Sequence, residues 1–276
     1  MGAIITFTTD FGLTDGYVAA MKGVALGINP EARLIDICHS IRPQNIAQAA
    51  FVLSTVHEYF PSRTIHLVVV DPGVGTDRKA IILRTPDADF VAPDNGVLSY
   101  IIRQYATGRT DADKCRLESA SGMAAVSITR SEFWRSPVSS TFHGRDIFAP
   151  VAAHLSLGVS PFAFGETLDT LTLLPIPRPG AGLDGTLTGH ILHVDTFGNL
   201  VTDIKSHDLP QEVSSLSFEI GGQIINGLSH TYVAGTGLMA VIGSSEYLEI
   251  SLREGSAAHF LNAAVGDEVR IRKTSQ

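Results

Sequence analysis

Apolar and polar positions along this chain follow one plan up to about residue 172 and another after about residue 186. In the first stretch, short apolar runs alternate with segments of helical spacing. AIITFTT (3–9) reads as a buried strand, and DGYVAAMKGVALGI (15–28) as a helix with Asp15 near its start. RLIDI (33–37) is a second strand. NIAQAAFVLSTVHEYF (45–60) is an amphipathic helix stopped by Pro61, and TIHLVVV (64–70) is an apolar third strand. Strand, helix, strand, helix, strand implies parallel pairing through right-handed crossovers. AIILRT (80–85) and FVA (90–92) add strands, while VLSYIIRQY (97–105) and IFAPVAAHLSLG (147–158) are helical, the latter with Asp146 as its expected N-cap.

The stretch LLPIPRPGAGLDG (173–185) is rich in proline and glycine and reads as a linker. Beyond it, GHILHVDT, LVTDI, LSFEI, QIING, LMAVIG, YLEIS and DEVRIRK are short strands at close spacing, which suits a small β-barrel or sandwich. The expected organisation is therefore an α/β domain over 1–172, a linker over 173–185 and an all-β domain over 186–276.

Composition narrows the function classes. With 44% hydrophobic and 17% charged residues in 276, the chain can bury a real core. A net charge of −8 repels phosphate backbones and argues against a nucleic-acid partner. Two cysteines, Cys38 and Cys115, form no framework and fit a reducing, cytoplasmic setting. The N-terminal residues lack the pattern of a signal peptide, and no apolar run reaches the length of a membrane span.

Candidate chemistry gathers after the strands. Asp10 and Asp71 each follow an apolar run, so two strands of one sheet aim carboxylates at the rim where ligands sit in open parallel sheets. Carboxylates at such positions accept hydrogen bonds from ribose hydroxyls, and each is equally compatible with a turn or cap role. DPGVGTDR (71–78) has the wrong spacing for a phosphate loop; Arg78 either folds back toward Asp71 or lies on the surface. His143, in HGRD (143–146), is a candidate base or orienting group. No HExxH, Cys/His cluster or GxSxG is present, so no catalytic metal is expected. In VDTFGNLVTDI (194–204), Asp195, Phe197 and Asn199 alternate. On a regular strand they would share a face, where they would hold an amine, stack a base and bond a base edge; the alternative is a hairpin turn at FGN.

Taken together, TTDFG (8–12), HS (39–40), DPGVG (71–75), APDNG (92–96), TFHGRD (141–146), DTFGN (195–199) and SxxYLE (244–249) resemble the S-adenosylmethionine hydroxide adenosyltransferases. These are the adenosine-forming hydrolases of the superfamily that holds the fluorinase and chlorinase. The resemblance runs nearly end to end. It implies a Rossmann-like N-terminal α/β domain, a C-terminal β-barrel, and a homotrimer whose sites lie between one subunit's first domain and its neighbour's second. It implies hydrolysis of S-adenosylmethionine (SAM), the substrate, with no separate cofactor and no membrane partner. By the same resemblance, Asp71, Arg78 and His143 handle the attacking water and Asp10 holds the ribose. Asn199 and the backbone near Leu252 read adenine and Tyr232 flanks it. Asp195, Ser244 and Glu249 line the substrate pocket, Asp195 near the methionine amine. The halogenases carry Tyr where this chain has Asp71, which favours water over halide as nucleophile. The competing expectations are a SAM-dependent, chlorinase-like halogenase and a non-catalytic protein that binds SAM or adenosine.

Overall fold

Parallel pairing of the first three strands organises the N-terminal unit, Met1–Pro175, in a computed structural model that describes residues 2–106, 111, 113–117, 122–210, 215–233 and 237–273. The elements in chain order are β1 (Ile4–Thr9), α1 (Tyr17–Ile28), β2 (Arg33–Cys38), α2 (Ile46–Ser54), β3 (Thr64–Val69), β4 (Ala80–Arg84), β5 (Ala88–Pro93), α3 (Ser99–Tyr105), β6 (Lys114–Arg116), β7 (Ala124–Ser127), α4 (Ala149–Ser156), β8 (Thr167–Leu168) and β9 (Thr170–Thr172). Seven of these strands make one sheet in the order β2-β1-β3-β5-β4-β7-β8. β2, β1, β3 and β5 run parallel; β4, β7 and β8 are antiparallel additions.

Alternation along β3 shows why the sheet is covered on both faces. Ile65, Leu67 and Val69 join Ile5, Phe7 and the α1 and α4 residues Met21, Ala25 and Val151 in one core. Val68 and Val70 point the other way, with Ala49 and Leu53 of α2 and Ile101 of α3. A run apolar on both faces is the mark of a buried parallel strand. α2 is shorter than the pattern predicts. The Ser54 and Thr55 hydroxyls turn back onto the Phe51 and Val52 carbonyls, and a single 3₁₀ turn, His57–Tyr59, follows before Pro61.

The second unit, Ile176–Gln276, contains β10 (Gly180–Ala181), β11 (Leu187–Val194), β12 (Leu200–Lys205), β13 (Leu216–Ile220), β14 (Gln223–Asn226), β15 (Leu228–Ser229), β16 (Leu238–Ile242), β17 (Tyr247–Leu252), α5 (Ala257–Leu261) and β18 (Glu268–Lys273). They form one nearly closed β-barrel sheet in the order β14-β13-β18-β11-β12-β17-β16-β15, with β10 beside β11. Phe218, Leu200, Leu248, Ile250 and Val269 fill its interior. Among the described residues, no helix is long and apolar enough to cross a membrane.

Candidate active site

The chain leaves β1 toward β2 on one side and leaves β3 toward β5 on the other. That reversal opens a crevice at the carboxyl ends of β1 and β3, the place where open α/β sheets bind ligands. Thr9 pairs with Val69 in the parallel register, so Asp10 and Asp71 emerge on the same rim. A cavity of about 380 Å³ lies there, lined by Asp10, Tyr17, Gln44, Asp71, Phe142 and His143 among others. Two larger cavities, of about 570 and 660 Å³, contain none of the candidate residues.

Arg78 folds back onto Asp71 rather than lying on the surface. Its Nε donates to both carboxylate oxygens at 2.9 Å, and Nη2 makes a further short bond to Oδ2. The side chains are 11% and 5% exposed, so this is a buried pair. Nη2 also donates to His143 Nδ1 at 2.9 Å. A guanidinium has no lone pair to offer, so the neutral imidazole here carries its proton on Nε2. Burial, and then the Arg78 charge, holds His143 below the usual histidine range, against the pull of Asp71 and Asp146. The Arg78 guanidinium lies 5.1 Å from the centre of the Phe148 ring, which fixes its plane.

His143 opens a turn of π-helix, Gly144–Phe148, that leads into α4. Such turns recur at functional sites because they widen the helix locally. Asp146 is not an N-cap, as the pattern suggested. It lies inside that turn with a side chain wholly buried, bonded by Arg145 Nε and Nη2 at 2.7 Å and by the Ser139 amide at 2.9 Å. Burial pushes its pKa up, but these donors more than offset that and hold it below the usual carboxylate range. It anchors the segment that presents His143.

Asp10 is partly buried, and its Oδ2 accepts from the Gln44 amide at 2.7 Å. Gln44 takes φ +64°, a backbone feature no residue pattern announces. Asn95 of APDNG donates to the Val70 carbonyl at 2.9 Å, tying down the peptide that precedes Asp71. An aromatic wall, in which the rings of Phe11, Tyr17 and Phe142 meet at 5.2–5.8 Å, has no separate signal in the residue pattern. The neighbours of Asp10 and His143 in their motifs were the available signal.

The remaining candidates lie in the second unit. DTFGN is a turn between β11 and β12, so the shared strand face expected for Asp195, Phe197 and Asn199 does not form. Asp195 Oδ1 accepts from the amides of Phe197 at 2.9 Å and Asn199 at 2.8 Å, and Oδ2 from Asn199 Nδ2 at 2.9 Å. Gly198 takes φ +83°, which explains glycine at that place. The turn leaves Phe197 79% exposed and Asn199 buried. Tyr232 donates to Glu249 Oε2 at 2.7 Å. Burial first, and then the Asp195 charge, raises Glu249 above the usual carboxylate range despite that bond. Burial and Glu249 raise the Tyr232 phenol too, with Asp195 adding to both shifts. Asp195, Tyr232 and Glu249 therefore share one electrostatic environment. Gly243 makes room for it, since a Cβ there would come within 1.8 Å of Glu249 Oε1. Ser244 is exposed in the turn after β16, and Leu252 ends β17, its carbonyl accepting from the Gly255 amide at 3.2 Å. The structure thus brings together Asp10, Asp71, Arg78 and His143 in one unit, and Asp195, Asn199, Tyr232 and Glu249 in the other.

Comparison with known proteins agrees over nearly the whole length. Residues 5–165 match the SAM hydroxide adenosyltransferase N-terminal domain, and residues 189–270 match the corresponding C-terminal domain. A (R)-S-adenosyl-L-methionine hydrolase of Salinispora tropica is 37% identical over 97% of both chains. A fluorinase of Nocardia brasiliensis is 25% identical over 98% of this chain and 96% of its own. The crystal structure of an uncharacterized conserved protein from Thermotoga maritima superposes with a TM-score of 0.85 at 36% identity, covering 98% of this chain and all of that one. Fold, rim chemistry and both domain matches lead to one assignment: the chain belongs to the SAM hydroxide adenosyltransferase family.

Proposed function

We propose that this protein hydrolyses SAM to adenosine and L-methionine by in-line attack of water on the ribose 5′ carbon. The observation that carries the proposal is the Arg78 guanidinium bridging the Asp71 carboxylate and His143 Nδ1 on the rim beside Asp10. The hydrolase relatives are more similar to this chain than the fluorinases are.

The geometry suits a weak nucleophile. Water has a bulk pKa of about 15.7, so the site must orient it and take up its proton. With Nδ1 facing Arg78, His143 offers Nε2–H as a donor to the oxygen that becomes negative. It is therefore an orienting group, and Asp71 is the proton acceptor. Methionine leaves as a neutral thioether, so no general acid is needed at that end. Oxygen joins C5′ as the C5′–sulfur bond breaks, and the water's second proton passes by way of Asp71 to solvent. Attack on a sulfonium neutralises charge, which a site shielded from water favours. Halide is already an anion and has no proton to give up, so a carboxylate at position 71 favours water.

In the same proposal Asp10 accepts from the ribose hydroxyls, and Asn199 with the Leu252 backbone reads adenine. Tyr232 and Phe197 flank the base, while Asp195, Ser244 and Glu249 line the methionine end. The reaction runs without a metal or other cofactor, in a cytoplasmic homotrimer; the resemblance and the two free cysteines support that setting. Incubation with SAM in oxygen-18 water tests the reaction. Label in the adenosine 5′-hydroxyl is expected; 5′-chloro-5′-deoxyadenosine formed in the presence of chloride, or no methionine release, refutes it. Sedimentation at the mass of three chains checks the assembly.

A further inference from the structure

The HS pair at 39–40 is a motif that the proposed reaction leaves unused, yet His39 sits buried directly behind the rim. β1 and β2 pair as Phe7↔Asp36 and then as Thr8↔Cys38, so Ile37 is an extra residue on β2. Bulges of this kind re-aim the chain beside binding sites. Here the extra residue brings His39 against the loop that carries Asp10.

His39 holds that loop on both sides of Asp10. Its Nδ1 lies 2.8 Å from Thr9 Oγ1, and its carbonyl accepts from the Gly12 amide at 2.8 Å. Thr9 Oγ1 in turn accepts from the Phe11 amide at 3.3 Å. On the far edge of the ring, Nε2 lies 2.8 Å from Asp36 Oδ1, and Asp36 Oδ2 accepts from Lys22 Nζ at 2.6 Å. The Nδ1–Thr9 bond and the carbonyl–Gly12 bond thus grip the chain on both sides of Asp10, and the Asp36 carboxylate lies against the opposite edge of the ring, outside the cavity.

We propose that His39 is a positioning residue that fixes the Asp10 carboxylate for the ribose hydroxyls, acting through Thr9 and the Gly12 amide. The inference rests on the ribose assignment of Asp10 made above. Asp10 Oδ2 is held by the Gln44 amide, while Oδ1 has no partner among the described residues. Two neighbouring hydroxyls need both oxygens of a carboxylate at a set angle. One bond from a separate loop does not fix that angle; a clamp on the residues before and after it does.

The test is calorimetric titration of the full chain with adenosine and with 2′,3′-dideoxyadenosine. Wild type is expected to prefer adenosine. Thr9→Val removes the hydroxyl at constant shape and is expected to cut that preference roughly two- to tenfold, the range for one hydrogen bond, with dideoxyadenosine affinity unchanged. Thr9→Ser keeps the preference. Thr8→Val makes the same change one residue earlier, at a buried hydroxyl with no partner, and leaves both affinities as they were. Equal affinity of wild type for the two nucleosides overturns the ribose assignment and the inference with it. A wild-type preference that survives Thr9→Val intact, or that Thr8→Val reduces equally, overturns the inference alone.

Discussion

Replacing Arg78 by lysine separates charge from geometry at the centre of the site. Arginine makes its bonds here with a rigid fork: Nε and Nη2 engage Asp71, while Nη2 also reaches His143. A lysine ammonium keeps the positive charge but is a point donor on a flexible stem. It can stay with Asp71 and cannot also hold His143 Nδ1 in line. At least two charge-assisted bonds are lost or bent, at about 1.5–3 kcal/mol each. Freed from Arg78, the His143 ring populates the tautomer with its proton on Nδ1, which leaves no N–H for the nucleophile. If that geometry matters chiefly in the transition state, kcat falls by roughly 10²–10⁴ while KM for SAM changes little. Steady-state turnover by chromatography of adenosine, with SAM affinity by titration calorimetry, separates the two effects. Full-rate turnover by Arg78→Lys would show that charge alone suffices and that the bridge to His143 is idle. Removing the charge instead, by Arg78→Met, leaves a carboxylate buried without its partner. That variant is expected to lose about 3–5 kcal/mol of folding stability, the usual result of breaking one side of a buried pair.

Three further outcomes are expected. His66 is buried under Phe90, which stacks on it at 5.0 Å, and burial, then the His57 charge, lowers its pKa from 6.5 to about 3. The unfolded chain thus binds this proton first, so stability is full above pH 6.5 and declines as pH falls toward 3. Urea unfolding should show about 2 kcal/mol less stability at pH 5 than at pH 7 from this group, and His66→Phe should remove that slope. Asp146→Ala strips the partner from Arg145, Arg135 and the Ser139 amide; a stability loss of about 3 kcal/mol or more, seen as a lower melting temperature together with lost turnover, is expected, and an unchanged melting temperature contradicts the anchor role. Gly243→Ala drives its Cβ into Glu249; a higher KM for SAM with a normal melting temperature is the expected signature, and an unchanged KM separates Glu249 from the substrate.

The rule that finds a polar residue after an apolar run worked at some positions and misled at others, and the difference is physical. Asp10 and Asp71 were legible because parallel strands impose their own direction: once AIITFTT and TIHLVVV pair in parallel, their next polar residues share a rim. Asp146 obeyed a similar local rule, polar before an apolar helix, yet it is a buried anchor. A cap and an anchor differ only in which donors reach the carboxylate, and two of the three here, Arg135 and the Ser139 amide, come from a loop 7–11 residues away. Alternation in DTFGN suggested a strand face, but one glycine at positive φ outweighed it, because a chain that reverses at Gly198 turns Asp195 back onto its own amides. The bond from Arg78 to His143 spans 65 residues and had no local signature at all. Local pattern therefore fixes where a carboxylate emerges from a sheet, while partners brought from elsewhere in the chain decide whether it faces a ligand or the protein's own donors. That is why substitutions at Thr9, Arg78 and Gly243, which alter partners and leave the carboxylates in place, are the sharper probes of this site.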